Sequence, residues 1–173
     1  MDKTMKYIKY SFLTLGLIIL IGMLIPEKII IPVKGATLSD WNHETFWFEP
    51  WGSSVVHKGI DIFGEKGTPV SAASSGIVVF SGHLNKGGKA IAILGPKWRI
   101  HYFSHLDSLS IASGSLVKIG DTIGTLGSSG NAIGKPSHVH YSILSLLPLP
   151  WLMTNETQGW KKMFYLNPHE KLL

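Results

Sequence analysis

From Gly52 onward the chain alternates short runs of valine, isoleucine, threonine and aromatic residues with glycine-rich turns, at 64–67, 87–88 and 127–130. Runs of this length suit strands, and glycine turns supply the tight reversals between antiparallel neighbours. The pattern predicts strands over 56–63, 68–73, 76–82, 89–94, 99–105, 122–126 and 139–144. No helical period of useful length interrupts them, so the expected fold class is all-β, an antiparallel β-sandwich or barrel. Two stretches, 67–79 and 114–124, share a strand-turn-strand rhythm, a weak sign of internal duplication. A lipoyl-carrier barrel has a similar rhythm but needs a lysine displayed at a hairpin tip, and the sequence offers no such turn.

With 173 residues and 45% hydrophobic content, the chain has room for one globular domain and one short additional element. Cysteine is absent, which excludes disulfides, thiolate metal sites and a cysteine nucleophile. A metal would have to be bound through histidine and carboxylate. Residues 1–34 hold five lysines against Asp2 and Glu27, so they carry +3 of the net charge of +5. The basicity is largely an N-terminal feature, and no nucleic-acid partner is expected.

Residues 10–25 carry no charge, follow Lys3, Lys6 and Lys9, and are closed by Pro26, Glu27 and Lys28. The stretch reads as an N-terminal transmembrane helix, with residues 1–9 as a cytoplasmic tail and the rest of the chain exported. Sixteen residues cover about 24 Å against a hydrocarbon core of about 30 Å, and Tyr7 and Ile8 can extend them. The rival is a cleaved signal peptide, with Val33 and Gly35 as a small-residue cleavage pattern. The apolar stretch is longer than the usual core of a signal peptide, so an uncleaved anchor is expected, followed by a connector over 26–51 and the domain over 52–173.

The chemistry lies in the histidines. Residues i, i+2 and i+4 of a strand share a face, so His57 and Asp61 project together with Gly59 between them, while Ile60 and Ile62 face the other way. His138 and His140 repeat this logic, with Val139, Tyr141 and Ile143 free to anchor the opposite face. Imidazoles and a carboxylate converging on a strand face suit zinc, which takes nitrogen and oxygen ligands at about 2.0–2.2 Å. Each motif alone is more often an exposed polar pair than a ligand set. Together they narrow the choice.

The series His57-Lys58-Gly59-Ile60-Asp61-Ile62, Gly67-Thr68-Pro69-Val70, Phe103-Ser104-His105-Leu106 and His138-Val139-His140-Tyr141 resembles the lysostaphin/LytM-type zinc endopeptidase family in order and spacing across residues 52–143, and Asn167-Pro168 resembles its closing motif. The resemblance implies one zinc ion held by His57, Asp61 and His140. It assigns His105 and His138 as the catalytic pair that orients or deprotonates a water and protonates the leaving amine. It also implies an antiparallel β-domain with a long open groove, and peptidoglycan peptide stems or cross-bridges as substrate. The expected function is zinc-dependent hydrolysis of bacterial peptidoglycan outside the cytoplasmic membrane; the alternative is a catalytically silent domain that regulates another envelope enzyme. Here Ser137 separates Pro136 from His138, Tyr141-Ser142 follow His140, and Trp51-Gly52 stand where some members carry a tyrosine.

His101 shares strand parity with His105 but lacks the aromatic-x-His-Leu context, so it is assigned to a groove or structural role. Ser128 and Ser129 lack the G-x-S-x-G pattern of a nucleophile and read as a flexible turn. His43, His83 and His169 read as ordinary surface or turn residues. The aromatic stretch 41–51 either packs as a connector or folds over the groove, where Asn42 and His43 would be extra ligands. The apolar run 146–153 contains two prolines and must be a loop, one that either packs on the core or presents Trp151 to a membrane interface.

Overall fold

The computed structural model describes residues 3–173; residues 1 and 2 of the expected cytoplasmic tail lie outside the described residues. Helix α1 covers Lys3–Leu24. At about 1.5 Å per residue its 22 residues cover about 33 Å, enough for a hydrocarbon core. The helix takes in Lys3, Lys6 and Lys9 as well as the uncharged stretch, because lysine is a good helix former and charge alone does not end a helix.

Ten strands follow: β1 (Ile60–Phe63), β2 (Pro69–Ser71), β3 (Gly76–Leu84), β4 (Gly88–Gly95), β5 (Arg99–Leu106), β6 (Ser108–Leu109), β7 (Leu116–Val117), β8 (Thr122–Thr125), β9 (His138–Ser145) and β10 (Tyr165–Leu166); a short helix α2 (Pro168–Leu172) closes the chain. All pairings are antiparallel. One sheet runs β1-β9-β5-β4-β3-β7 with β10 also on β9, and a smaller one runs β2-β8-β6. One apolar cluster joins both sheets, with Ile60, Ile62, Ile91, Phe103, Val139, Tyr141 and Ile143 meeting Val70, Ala72 and Ile123. The expected strands are present with shifted ends; β6, β7 and β10 are two-residue strands too short for a periodicity to reveal. The two rhythmic stretches pair with each other, β2 with β8 and β3 with β7.

The connector is not loose. Ile30 N–H donates to Ala73 O, Ser71 N–H to Pro32 O and Lys34 N–H to Pro69 O, so residues 30–34 extend the small sheet past β2. Trp41 and Trp47 are buried, as expected of a segment that packs its aromatics on the domain. α1 also touches the domain: Trp98 Nε1–H donates to Ile19 O at 3.0 Å. A Cβ at Gly22 would sit 2.3 Å from that indole nitrogen, so glycine is what permits the approach.

Candidate metal centre and its cleft

Strand register sets the site. On one face of the large sheet, Asp61 of β1 lies directly opposite His140 of β9, and Ser104 of β5 lies opposite His140 on its other side. The alternate residues Ile60, Ile62, Val139, Tyr141 and Ile143 are fully buried on the core face, which pins the orientation of the polar row.

His57 reaches the row differently. It precedes β1 rather than belonging to it, and its backbone pairs with the connector: His57 N–H donates to Phe48 O, and Trp47 N–H donates to His57 O. Its ring is fully buried and stacks on Trp51 with centroids 4.0 Å apart. A Cβ at Gly59 would lie 2.4 Å from Tyr141 O and 2.9 Å from His140 Cε1, so this glycine lets the two segments close around the site.

Three atoms converge. His57 Nε2 lies 3.1 Å from Asp61 Oδ1 and 2.9 Å from His140 Nδ1, and His140 Nδ1 lies 2.9 Å from the same carboxylate oxygen. His57 Nδ1 is 3.1 Å from Thr45 O, a carbonyl that can only accept, so the proton resides on Nδ1 and Nε2 presents a lone pair. Ser142 Oγ lies 2.9 Å from His140 Nε2 and can accept its proton, which leaves Nδ1 bare as well. Two imidazole lone pairs and a carboxylate this close repel one another unless a cation is shared among them. Burial pushes the His140 pKa down and Asp61 only partly offsets this, so a second proton on the ring is resisted. Burial pulls the Asp61 pKa up, but its contacts with His140 and His57 outweigh it and hold the carboxyl well below the usual range, so it stays an anion beside the two imidazoles. His57, Asp61 and His140 thus form a group able to hold a metal, and the donor set fits zinc.

The second pair of histidines stands beside this group. The rings of His105 and His138 are 5.1 Å apart, and His105 is 6.3 Å from the His140 ring. His105 Nδ1 lies 2.9 Å from Ser129 O and His138 Nδ1 lies 2.8 Å from Pro136 O. Both partners are carbonyls, so Nδ1 carries the proton and Nε2 is the basic nitrogen of each ring. Burial, with the neighbouring His138, lowers the His105 pKa to about 4 despite the Ser129 carbonyl, so the ring is neutral at ordinary pH.

His101 and His105 do not share a face, although simple alternation puts them together. Lys89 pairs with Leu106 and Ile91 with Phe103, so two residues of β5 oppose one of β4. This is a β-bulge, and His105 takes φ +66° within it. The bulge turns His105 into the cleft, while His101 lies fully buried in the core with Nδ1 2.8 Å from the Tyr141 hydroxyl.

The turn at 127–130 does more than reverse the chain. Ser129 Oγ donates to Leu106 O and accepts from Lys89 N–H, which fixes the carbonyl that orients His105. Asn42 and His43 are not brought to the metal group: Asn42 Oδ1 accepts from Glu44 N–H, and the His43 ring meets His169 at 5.3 Å. Thr45, Tyr102 and Ser104 were not singled out in the sequence, and Trp51 and Ser142 were noted there without a role. Only the parity of Tyr102 and Ser104 on β5, and of Ser142 two residues beyond His140, could have pointed to them.

The histidines open onto a cleft of about 430 Å³, lined on one side by Trp51, Lys58, Tyr102 and Ser104. A second hollow of about 320 Å³ continues past Phe63, Ala132 and Pro136.

The chain is similar to known peptidases. Residues 55–147 match the family model described as Peptidase family M23. An L-Ala–D-Glu endopeptidase of Bacillus subtilis (strain 168) is 34% identical over 114 residues, covering 61% of this chain and 35% of that protein. The catalytic domain of the antimicrobial peptidase lysostaphin from Staphylococcus simulans superposes with a TM-score of 0.56 at 29% identity, covering 71% of this chain and 84% of that one. A zinc-containing peptidase from Vibrio cholerae superposes with a TM-score of 0.55 at 25% identity, covering 68% and 37%. The chain spans about a third or less of the length of several curated relatives it matches.

Proposed function

The chain belongs to peptidase family M23, and on that footing we propose that it is an active, zinc-dependent endopeptidase that hydrolyses peptide bonds of bacterial peptidoglycan at the outer side of the cytoplasmic membrane. The observation that carries the reading is the convergence of His57 Nε2, Asp61 Oδ1 and His140 Nδ1 beside two histidines whose Nε2 atoms are free to act as bases. Three protein donors of this kind match a catalytic zinc site, which keeps one position for water or substrate. Zinc held there would lower the pKa of a water and polarise the scissile carbonyl.

The remaining steps belong to the chain. His105 and His138 orient the attacking water through Nε2, take its proton and return one to the leaving amine. His105, being neutral, is ready as a base without a prior deprotonation. Thr45 and Ser142 hold the two imidazole ligands in the tautomers that face the metal.

In this reading α1 is an uncleaved membrane anchor that keeps the catalytic domain on the extracytoplasmic side. Its length and apolar composition support this, as does the packing beyond it. Val33 is buried and residues 30–34 pair with β2, so cleavage near Gly35 would strip an edge from the folded domain. Trp151 is 76% exposed rather than packed in the core, which leaves it available to a membrane interface.

The test is incubation of the purified chain, in detergent micelles, with isolated peptidoglycan. Release of new free amines, abolished by chelation and restored by one equivalent of zinc, is the expected result. Zinc-loaded protein that binds peptidoglycan without releasing amines would replace the reading with a silent, regulatory domain.

A further inference from the structure

Among the described residues Ile19 and Gly22, three apart and so on one face, are the only residues of α1 that are not exposed. Trp98 meets both: its Nε1–H donates to Ile19 O at 3.0 Å, and its ring fills the place that a Cβ of Gly22 would take. It stands in the turn 96–98 that joins β4 to β5, where Lys97 takes φ +58° and Trp98 φ +57°. Two consecutive non-glycine residues in the left-handed region are a strained choice for a hairpin, and strain of this kind gathers at functional surfaces. Leu146, half exposed, lies beside the turn, with its N–H donating to Trp98 O at 2.9 Å.

The place of these contacts along α1 decides where the turn lies. Ile19 is five residues, about 7.5 Å, before the end of the helix at Leu24. A membrane boundary that left Trp98 in water would have to fall short of Ile19. Residues 4–18 would then cover about 22 Å, even with Lys6 and Lys9 included, against a hydrocarbon core of about 30 Å, and the apolar residues 19–25 would be stranded outside it. The segment that follows has no slack with which to lift the domain: Glu27 pairs with Arg99, the residue after Trp98, and residues 30–34 pair with β2. We propose that the turn 96–98 and Leu146 are seated in the outer leaflet of the bilayer that holds α1, with the Trp98 indole at the boundary between headgroups and acyl chains, and that the metal cleft is thereby held at a fixed height over the membrane. An indole suits that boundary, since its body is apolar and its N–H has an acceptor, and Lys97 can extend its ammonium among the headgroups. Ser104, opposite His140, is six residues along the chain from Trp98, so the metal group stands at most about 20 Å above the seated turn. The inference rests on the reading of α1 as an anchor and adds where the domain works, which is on peptide at the membrane face rather than at the end of a loose tether.

The chain has no cysteine, so a single introduced one is a unique labelling site. The full chain is reconstituted into vesicles of phosphatidylcholine and phosphatidylglycerol with a nitrobenzoxadiazole label at Lys97→Cys, Leu146→Cys, Leu13→Cys or His83→Cys. Leu13 is exposed near the middle of α1, and His83 is exposed at the far end of the sheet from the turn. Lipids in both leaflets carry a nitroxide either high or low on the acyl chain. Labels at Lys97 and Leu146 are expected to lose most of their emission to the shallow nitroxide and less to the deep one, the Leu13 label to show the reverse, and the His83 label to lose none. Quenching at Leu13 with none at Lys97 and Leu146 overturns the seating and leaves the anchor in place. Quenching at His83 equal to that at Leu146 overturns the fixed height, because the domain would then lie on the bilayer in more than one orientation. No quenching at Leu13 removes the anchor reading, and the seating with it.

Discussion

The carboxylate of Glu27, three residues beyond α1, lies 3.3 Å from Nε2 of His101 on β5, with both side chains almost wholly buried. Its other oxygen is paired with Arg99, and His101 in turn meets the Tyr141 hydroxyl. The segment that follows α1 is thereby tied to the two strands, β5 and β9, that carry His105, His138 and His140.

Removing Glu27 should therefore cost stability well beyond an ordinary surface substitution. Glu27→Ala leaves Arg99 and His101 buried without their anion, a loss of roughly 3–5 kcal/mol for a broken buried pair. Burial alone would raise the Glu27 pKa, but His101 and Arg99 overcome it and hold the pKa below 4.5. The pair thus contributes its stability above the unfolded carboxyl pKa and loses it as pH falls through the lower folded value. Urea unfolding at pH 7 and at pH 3 should show a large wild-type to variant difference that shrinks in acid; a constant difference would contradict the pairing.

Metal content should separate the five site residues into two groups. His57→Ala, Asp61→Ala and His140→Ala are expected to lose bound zinc, while His105→Ala and His138→Ala keep it and lose about a hundredfold or more in turnover. Mass-spectrometric metal analysis of the five purified variants decides this. Unchanged zinc and full hydrolysis in Asp61→Ala would remove the assignment.

His105 should leave a signature in acid stability. Its pKa falls from 6.5 in the unfolded chain to about 4 in the fold because burial disfavours the charged ring. Between these values the unfolded chain binds a proton that the folded chain refuses, so stability is full above pH 6.5 and declines as pH falls toward 4. Metal-free wild type and His105→Asn, compared by urea unfolding at pH 7.5 and 5.0, should differ in slope, with the variant losing less. Asparagine also tolerates the positive φ of the bulge, which keeps the backbone comparison fair.

Trp51 and Thr45 make the segment 41–51 a support for the metal group. Trp51→Ala removes the ring stacked on His57 and is expected to weaken zinc binding by about tenfold, the low end for a partner that orients a ligand. If the segment were instead an inhibitory cover, the same variant would cleave faster with unchanged zinc affinity. Competition with a chelator, run beside a rate measurement, distinguishes the two.

The strand pattern and the face shared by His138 and His140 were legible in the sequence, because alternation with period two is a local property that the pleat imposes wherever a strand forms. Ile60, Ile62, Val139, Tyr141 and Ile143 lie on the core face as that alternation requires. The same rule misplaced His101 relative to His105, since a bulge depends on how β5 pairs with β4, and no residue of β5 announces it. His57 shows the limit from another direction: its spacing to Asp61 suggested one continuous strand, yet its backbone pairs with Trp47 and Phe48 of the connector. Thr45, Trp51 and Ser129 touch the site residues from segments that sequence reading treated as linker and turn. Which residues are candidates for the chemistry was thus legible in local pattern and motif order. Which of them meet, which nitrogen of each ring is bare, and which residues line the cleft were decided only by tertiary structure, because they depend on contacts between segments tens of residues apart whose approach hydrophobic burial and strand pairing determine together.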